Sequence, residues 1–155
     1  MTLMQTAANV PPEIVLVAIL AILVLASSRT KSYIDVRLGD STVHAELADN
    51  PVKQMLGLMG RTALADDEGM LFPLGEESRP KFWMMGMRMP IDVIYMGSDK
   101  TVVDVKSNLQ PFSLSNLDTT FAPDQKAMYV LEVAAGFAQR HANGAGMKAD
   151  FAATG

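Results

Sequence analysis

The chain has 155 residues, of which 49% are hydrophobic and 19% are charged, and its formal net charge is −4. This length is typical of one globular domain. The sequence has no long run of basic residues, which argues against a nucleic-acid-binding protein, so we expect no nucleic-acid partner. It has no cysteine, which excludes disulfides, thiolate metal sites and a cysteine nucleophile. With only two histidines as well, we expect no metal site and no cofactor.

The first predicted element is a hydrophobic helix at Ile14 to Ala26, a run of apolar residues without interruption. It would rise about 20 Å, which is short of the ~30 Å hydrocarbon core of a bilayer. Its length is typical of a signal peptide, but no Lys or Arg precedes it, whereas Arg29 and Lys31 follow it. The segment therefore indicates either a cleaved signal peptide or a membrane anchor.

These features divide the chain into residues 1–28 as signal peptide or anchor, a linker at 29–32, and a globular domain at 33–155. The predicted partner of the segment Ile14 to Ala26 is the membrane. We expect a protein that is membrane-associated or exported to the cell envelope, and the two signals leave its side of the membrane open.

Two runs of alternating apolar and polar residues follow, at Tyr33 to Leu38 and Thr42 to Leu47. Because a short Gly-containing segment joins them, they predict a β-hairpin with one wet face. His44 is expected on that outward face, together with Thr42 and Glu46, as an ordinary surface histidine.

A short helix is predicted next, since Asn50 is a good N-cap and Pro51 suits the first helical position. Its apolar residues recur at helical spacing, and Gly60 is a plausible end. We expect Met55 and Met59, which belong to this apolar stripe, to fill the core.

The rest of the chain predicts several short strands and one more helix, with a long loop at 107–126 that folds back over the sheet. The predicted strands are 69–74, 82–87, 91–96, 101–106, 127–133 and 147–151, and the predicted helix is 134–142. Together these elements indicate an α+β fold, a compact mixed-sheet or barrel-like domain with two short helices, preceded by the N-terminal hydrophobic helix.

Two acids lie on strand faces that are otherwise apolar, Asp92 in the strand 91–96 and Glu132 in the strand 127–133. Burying a carboxylate costs several kcal/mol unless it is paired or protonated. Arg61 or Arg88 could pair with them, which would give ion pairs that join strands. The alternative is a pair of carboxylates that perform acid/base chemistry in a hydrolase-like enzyme.

Four methionines cluster around the single tryptophan, Trp83, in the segment from Phe82 to Asp92. Thioether sulfurs on one face could bind Cu(I). Methionine also fills irregular gaps in a core and contacts aromatic rings, which is the commoner use of such residues. Trp83 itself is either the wall of a binding site or a core aromatic residue.

Five short motifs share their order and spacing with one known family. They are Gly57-Leu58-Met59-Gly60-Arg61, Gly69-Met70-Leu71-Phe72, Phe82-Trp83-Met84, Pro90-Ile91-Asp92, and Tyr129-Val130-Leu131-Glu132 with Gly136. Over residues 33 to 152 the chain resembles the domain of unknown function 192 family, also catalogued as uncharacterised protein family 0127. The resemblance implies a compact mixed-β domain with short helices, often behind an exported or membrane-anchoring N-terminus, and no established activity.

Arg61, Asp92 and Glu132 stand at positions that match the family pattern. The segment Met85-Gly86-Met87 departs from it, because the resemblance implies polar residues of the Lys-Asn-Thr type there. Any function particular to this chain is therefore expected at that segment.

The leading hypothesis is a membrane-tethered or exported, non-enzymatic domain that binds a small ligand or an envelope partner. Its candidate ligand-binding residues are Arg61, Trp83, Asp92 and Glu132, at an apolar cleft expected under the 107–126 loop. The alternative is a carboxylate-dependent hydrolase-like enzyme that uses Asp92 and Glu132. Copper binding through methionine is a third hypothesis.

Overall fold

The computed structural model describes residues 11, 13–14, 16–17, 31–113, 120–141 and 144–152. It divides into two units, residues 1–31 and residues 32–155. In the first unit, Glu13, Ile14, Leu16 and Val17 are helical. Most of the hydrophobic run predicted at Ile14 to Ala26, like the small residues that could be cleaved after it, lies outside the described residues. Within the described ranges, no helix has the length and apolar character needed to cross a membrane.

The second unit has the predicted α+β composition, with nine strands and two short helices in its described part. They are β1 (Tyr33–Leu38), β2 (Ser41–Leu47), α1 (Pro51–Leu56), β3 (Glu68–Ser78), β4 (Phe82–Trp83), β5 (Ile91–Met96), β6 (Val102–Leu109), β7 (Thr120–Phe121), β8 (Ala127–Ala134), α2 (Phe137–Arg140) and β9 (Ala149–Asp150).

Seven of the strands form one mixed sheet in the order β6-β5-β8-β3-β2-β1-β9, while β4 and β7 pair separately. The β2–β3 pair is parallel, and the other pairs of the large sheet are antiparallel. The two edges of the large sheet meet at one end, where the N–H of Val102 donates to the oxygen of Met147 over 2.7 Å and the N–H of Ala149 donates to Lys100 over 2.9 Å. The sheet is therefore a half-barrel.

Alternate residues of the central strands enter two different hydrophobic clusters, one on each face of this sheet. The Phe137 side is the face covered by Phe137 of α2, and it includes Val36, Leu38, Val43, Leu71, Ile94, Leu131 and Val133. The Phe72 side is the opposite face, and it includes Leu58, Met70, Phe72, Met84, Val93, Tyr95 and Val130.

The predicted hairpin of β1 and β2 is confirmed, with Leu38 opposite Ser41 across a turn in which Gly39 has φ 57°. His44 is exposed, as predicted. The prediction for Glu46 is wrong, because this side chain is only 3% exposed. The pattern of β2 alone could not reveal that β3 pairs with its other edge and that Arg61 covers this face.

Helix α1 begins as predicted. Asn50 is its N-cap, and the side-chain oxygen of Asn50 accepts from the Lys53 backbone N–H over 3.0 Å. The helix ends at Leu56, earlier than the predicted Gly60, because Gly57 leaves the helical region with φ 50°.

The expectation that Met55 and Met59 fill the core is wrong, since they are 53% and 37% exposed. The buried side chain of α1 is instead Lys53, whose Nζ donates to the Leu47 oxygen over 3.3 Å and pairs with Asp49 at 2.8 Å. The early end of the helix removes the turn that would have extended the apolar stripe to Met59.

Several other boundaries differ from prediction, among them the strand predicted at 69–74, which extends over Glu68–Ser78, and the strand predicted at 147–151, which is limited to Ala149–Asp150. The strand predicted at 82–87 ends at Trp83, because Met84 to Met87 form a turn in which Gly86 has φ 75°. The loop predicted at 107–126 is shorter, since β6 continues to Leu109 and Thr120–Phe121 form β7. Residues 114–119 lie outside the described part. The helix predicted at 134–142 is limited to Phe137–Arg140, because β8 continues to Ala134 and Gly136 is left-handed.

Candidate functional site

Four side chains on the Phe72 side form a row across four neighbouring strands. Glu46 of β2 is in register with Met70 of β3, Met70 with Glu132 of β8, and Glu132 with Val93 of β5. Residues in register project from the same face of a sheet. Two carboxyl groups thus lie on one buried face, two strands or about 10 Å apart.

The carboxylate of Glu46 forms an ion pair with the guanidinium of Arg61. Glu46 is buried, whereas the Arg61 side chain is 30% exposed and reaches it from the segment that follows α1. The predicted role of Arg61 as a charge-pairing group is therefore directed at Glu46, an acid that the sequence analysis had placed in solvent.

Glu132 has no comparable partner. It is 5% exposed, and its Oε2 has no hydrogen-bond partner among the described residues. Burial raises the pKa of Glu132 to about 8, although a hydrogen bond from the Leu58 backbone N–H and the charge of Arg61 both lower it. Burial therefore favours the neutral form of this side chain.

The hydroxyl of Tyr95 is a second buried polar group on this side without a hydrogen-bond partner in the described part of the chain. Burial raises the pKa of Tyr95, and the charges of Asp104 and Glu132 raise it further. Tyr95 therefore remains neutral. It adds no negative charge that would change the pKa of Glu132.

Glu132 lies at a cleft of about 180 Å³, which we call the Glu132 cleft. Its walls come from α1 and the residues after it, from β3, and from the segment 80–87. The described lining residues are Gln54, Met55, Leu56, Gly57, Leu58, Phe72, Leu74, Pro80, Lys81, Phe82, Trp83, Met85, Met87 and Glu132. None of these described lining residues comes from the predicted 107–126 loop, although Phe121 of that range stacks on Phe82 of the lining.

Glycine lets the segment after α1 approach the acid closely. A Cβ atom added to Gly57 would lie 3.4 Å from Oε2 of Glu132 and 3.5 Å from the Phe72 ring. The same segment contacts the turn after β4, where the Gly60 N–H donates to the Gly86 oxygen over 3.0 Å. A Cβ on Gly86 would collide with Met59 at 2.6 Å.

Trp83 is 46% exposed and lines the cleft, so of its two predicted roles the core aromatic residue is wrong. The adjacent Phe82 is the residue that packs inward. Its ring contacts Phe72 edge-on with centroids 5.4 Å apart and stacks on Phe121 at 6.0 Å. The short β4–β7 pair thus holds Phe82 in the core and leaves Trp83 at the cleft.

Asp92 lies on the other face of the sheet, since it is in register with Val133 of the Phe137 side. It is fully buried. Its two oxygens accept from the backbone N–H groups of Asn108, over 2.8 Å, and Ala138, over 2.9 Å. The ion pair predicted between Asp92 and an arginine is therefore wrong. The carboxylate instead fixes the end of β6 and the start of α2.

The structure thus brings Trp83 and Glu132 to one cleft and places Arg61 beside it, while Asp92 lies across the sheet. Hydrolysis by two carboxylates would require Asp92 and Glu132 at a common pocket. Their positions on opposite faces do not provide it.

Sequence reasoning missed Glu46, Gly57, Leu58 and Lys81 as neighbours of this site. Gly57 is part of the first family motif, which was the available signal for its close approach to another group. The sequence departs from the family pattern at Met85-Gly86-Met87, and Met85 and Met87 line the cleft.

Comparisons with known proteins give consistent matches over the second unit. The family DUF192, described as "Uncharacterized ACR, COG1430", matches residues 34–151. A UPF0127 protein of Pyrococcus abyssi is 36% identical over 89 residues, which are 56% of this chain and 68% of that protein.

Two crystal structures are also similar. A Sinorhizobium meliloti 1021 protein, provisionally described as a transcription regulator, has a TM-score of 0.72 and 29% identity, covering 79% of this chain and 95% of that one. A Novosphingobium aromaticivorans DSM 12444 protein of unknown function has a TM-score of 0.68 and 30% identity, covering 77% of this chain and 84% of that one.

Proposed function

Because this chain belongs to the DUF192 family, which is described as uncharacterised, we propose a function from its own site: it is a non-enzymatic domain that binds a small apolar ligand in the Glu132 cleft. The observation that carries this proposal is the buried carboxyl of Glu132, which has an oxygen without a partner among the described residues and lies at an otherwise mostly apolar cleft. Apolar walls with few polar groups are typical of ligand sites.

The rim of the cleft supports this proposal. Met55, Trp83 and Met85 line it and are 53%, 46% and 58% exposed. Leaving three large apolar side chains together in water is unfavourable by about 25 cal/mol for each Å² that a ligand could cover. Methionine is also adaptable, because its unbranched thioether side chain adjusts to the shape of its partner.

The size of the cleft favours a small molecule over a protein surface. Its volume of about 180 Å³ is slightly larger than the ~150 Å³ of an engineered protein cavity that binds benzene. A compact ligand of that order would fill the space between Phe72, Trp83 and Glu132. An apolar side chain from an envelope partner is the other possible occupant, and it is an outcome of the test below.

The test is a titration of the full chain with isopropylbenzene, followed by ¹H–¹⁵N NMR at the Trp83 indole N–H and the Leu58 amide. We expect saturable shifts at both groups and a loss of binding of at least about tenfold in Met85→Lys, which places a charge at the rim. Tyr33→Lys is the matched control, because Tyr33 is 48% exposed and outside the lining.

Unchanged spectra up to the solubility of the probe would contradict a small-ligand site. Capture of a protein that is lost in Met85→Lys and retained in Tyr33→Lys, in the absence of any probe binding, would favour the envelope partner instead.

We propose that the hydrophobic run Ile14 to Ala26 holds this domain at a membrane or directs its export. The support is the thirteen uninterrupted apolar residues and the Arg29 and Lys31 that follow them. A reporter fused after Gly155 and assayed on each side of the membrane tests this. Full recovery of the fusion in the soluble cytoplasmic fraction would contradict it.

Copper binding is a second candidate, favoured by one observation: Met55, Met85 and Met87 line the same cleft. Thioether groups are ligands for Cu(I). A competition titration with a Cu(I) chelator should show binding that is lost in Met85→Leu. Absence of binding tighter than micromolar would eliminate this candidate.

The description of the Sinorhizobium meliloti protein as a transcription regulator is not carried over as a DNA-binding function. This chain has 13 basic and 17 acidic residues, and its sequence lacks the clustered basic residues that contact phosphates.

A further inference from the structure

The hydrogen-bonding state of Glu132 determines which polar group a ligand can present to it. The nearest guanidinium, that of Arg61, is already paired with Glu46. Because Glu46 and Glu132 are two strands apart in the same row, Arg61 acts on Glu132 only as a more distant positive charge. No cation is therefore bonded directly to Glu132 among the described contacts, and the neutral acid is the form that burial favours.

A neutral carboxyl group has one O–H donor. The Leu58 N–H donates to the carboxyl, while Oε2 receives no donor and reaches no acceptor in the described structure. A neutral Glu132 carboxyl therefore has an O–H for which the described structure provides no acceptor. Glu132 then presents a buried donor that lacks an acceptor.

The described lining of the cleft does not supply that acceptor. Glu132 is its only acid, and the side-chain amide N–H₂ of Gln54 is used in donation to the oxygens of Ala48 and Pro73, over 3.2 and 3.1 Å. Lys81 adds a positive charge at the lining. An ammonium group would meet Lys81, the charge of Arg61 and a neutral acid, all of which disfavour it.

We propose that the Glu132 cleft selects a neutral, mostly apolar ligand of about the size of a substituted benzene that presents one carbonyl or ether oxygen to the carboxyl group of Glu132. The inference rests on the proposed function, because it assumes that the cleft is the binding site. It adds the kind of polar group that the ligand carries, and it adds that the affinity depends on the protonation of Glu132.

Four probes of nearly the same shape test it: isopropylbenzene, acetophenone, benzoate and protonated 1-phenylethylamine. In each probe the carbon bonded to the benzene ring carries two further heavy atoms. These atoms make isopropylbenzene apolar, acetophenone a hydrogen-bond acceptor, benzoate an anion and 1-phenylethylamine a cation. The readout is the dissociation constant from the Trp83 indole and Leu58 amide signals. At about pH 6, we expect acetophenone to bind at least about tenfold more tightly than the amine, since a buried charge or an unpaired donor is costly.

The decisive comparison uses pH and two variants. Ionisation of Glu132 removes its donor, so acetophenone should bind at least about tenfold more weakly at about pH 10 than at about pH 6. The other charged or titratable groups that the described structure places on this side near the cleft are Glu46, Arg61, Lys81, Tyr95, Asp104 and Lys106. Glu132→Gln retains an N–H donor and cannot ionise, so acetophenone should bind it with little pH dependence. Glu132→Leu should weaken acetophenone and leave isopropylbenzene within about threefold.

Tightest binding of the amine or of benzoate, or acetophenone binding that does not change with pH in the unmodified chain, would overturn the inference while leaving the cleft as a ligand site. If none of the four probes shifts the Trp83 and Leu58 signals, the proposed function fails together with it. The pH comparison uses only the unmodified chain. It therefore still tests the inference if Glu132→Leu does not fold.

Discussion

Asp92 and Glu132 are two buried acids on adjacent antiparallel strands, yet the two faces of the sheet treat them differently. On the Phe137 side, both oxygens of Asp92 accept from backbone N–H groups. On the Phe72 side, Oε2 of Glu132 has no partner among the described residues and the side chain lines a cleft. Both oxygens of Asp92 therefore have hydrogen-bond partners, whereas one oxygen of Glu132 has none among the described residues.

This difference shows that burial alone does not identify a functional acid. A carboxylate with two backbone donors is stabilised as an anion and holds chain segments together. A buried carboxyl with one oxygen that receives no donor is favoured as a neutral acid, and its O–H has no acceptor among the described residues. Hydrogen-bond saturation, more than depth in the core, separates the structural group from the candidate binding group.

The largest expected effect is at Asp92. Asp92→Ala removes the acceptor of the Asn108 and Ala138 N–H groups and leaves both buried, which should lower the free energy of unfolding by about 3–5 kcal/mol. Urea unfolding followed by circular dichroism measures it. Asp35→Ala is the control, since the Asp35 side chain is 70% exposed and should change stability by less than about 1 kcal/mol. Equal effects of the two substitutions would contradict the structural role of Asp92.

A smaller effect on the free energy of unfolding is expected at Glu132, where a substitution should stabilise the protein at about pH 7.5. Its pKa is about 8 in the folded protein and near the usual 4.5 when unfolded. Between these values the folded state holds a proton that the unfolded state has lost, so stability falls as pH rises. The loss should be about 3 kcal/mol from about pH 5 to about pH 7.5.

Glu132→Gln should remove this slope and be the more stable protein at about pH 7.5, in contrast to the loss at Asp92. Urea unfolding at both pH values measures it. The lowered pKa values of Asp49, Asp66 and Asp104 affect stability only as pH falls below their usual 3.8, so they do not contribute in this range. A slope that persists in Glu132→Gln would contradict the account.

A third effect, of about 1–2 kcal/mol, concerns the contact that forms the wall of the cleft. Gly86 and Gly60 have φ values of 75° and 79°, so alanine at either position is strained to a similar extent. Only at Gly86 would the new Cβ collide with Met59. Gly86→Ala should therefore be less stable than Gly60→Ala by about 1–2 kcal/mol in urea unfolding, and identical stabilities would contradict the packing described at Met59.

The smallest effect is expected away from both acids. Asp66 bonds to Arg140 and lies 2.7 Å from Nε2 of His141, and these partners lower the pKa of Asp66. All three side chains are partly exposed, so Asp66→Asn should cost less than about 1 kcal/mol. A larger loss in urea unfolding would show that this cluster matters more for stability than its exposure suggests.

The sequence predicted the hairpin, the N-cap at Asn50 and the strand Ile91 to Met96, because alternation and capping are local properties. It also identified Asp92 and Glu132 as acids on apolar strands. It could not separate them, since their partners, the amides of Asn108, Ala138 and Leu58, are brought near by β6, α2 and the segment after α1.

The errors at Glu46 and Met55, and the two interpretations left open for Trp83, have one physical origin. A strand or helix pattern shows which residues share a face, but which face is covered depends on elements that are distant in sequence. Glu46 is buried because β3 and Arg61 cover it, whereas Trp83 is exposed because β4 ends after two residues.

The central claim is that Glu132 is a neutral acid whose proton is available in the cleft. Labelling glutamate with ¹³C at the side-chain carboxyl and following the chemical shift with pH tests it directly, with Glu132→Gln identifying the signal. The account predicts a midpoint near 8 for Glu132, well above the usual 4.5. A midpoint near 4.5 would show that Glu132 is ionised at neutral pH and would contradict the account.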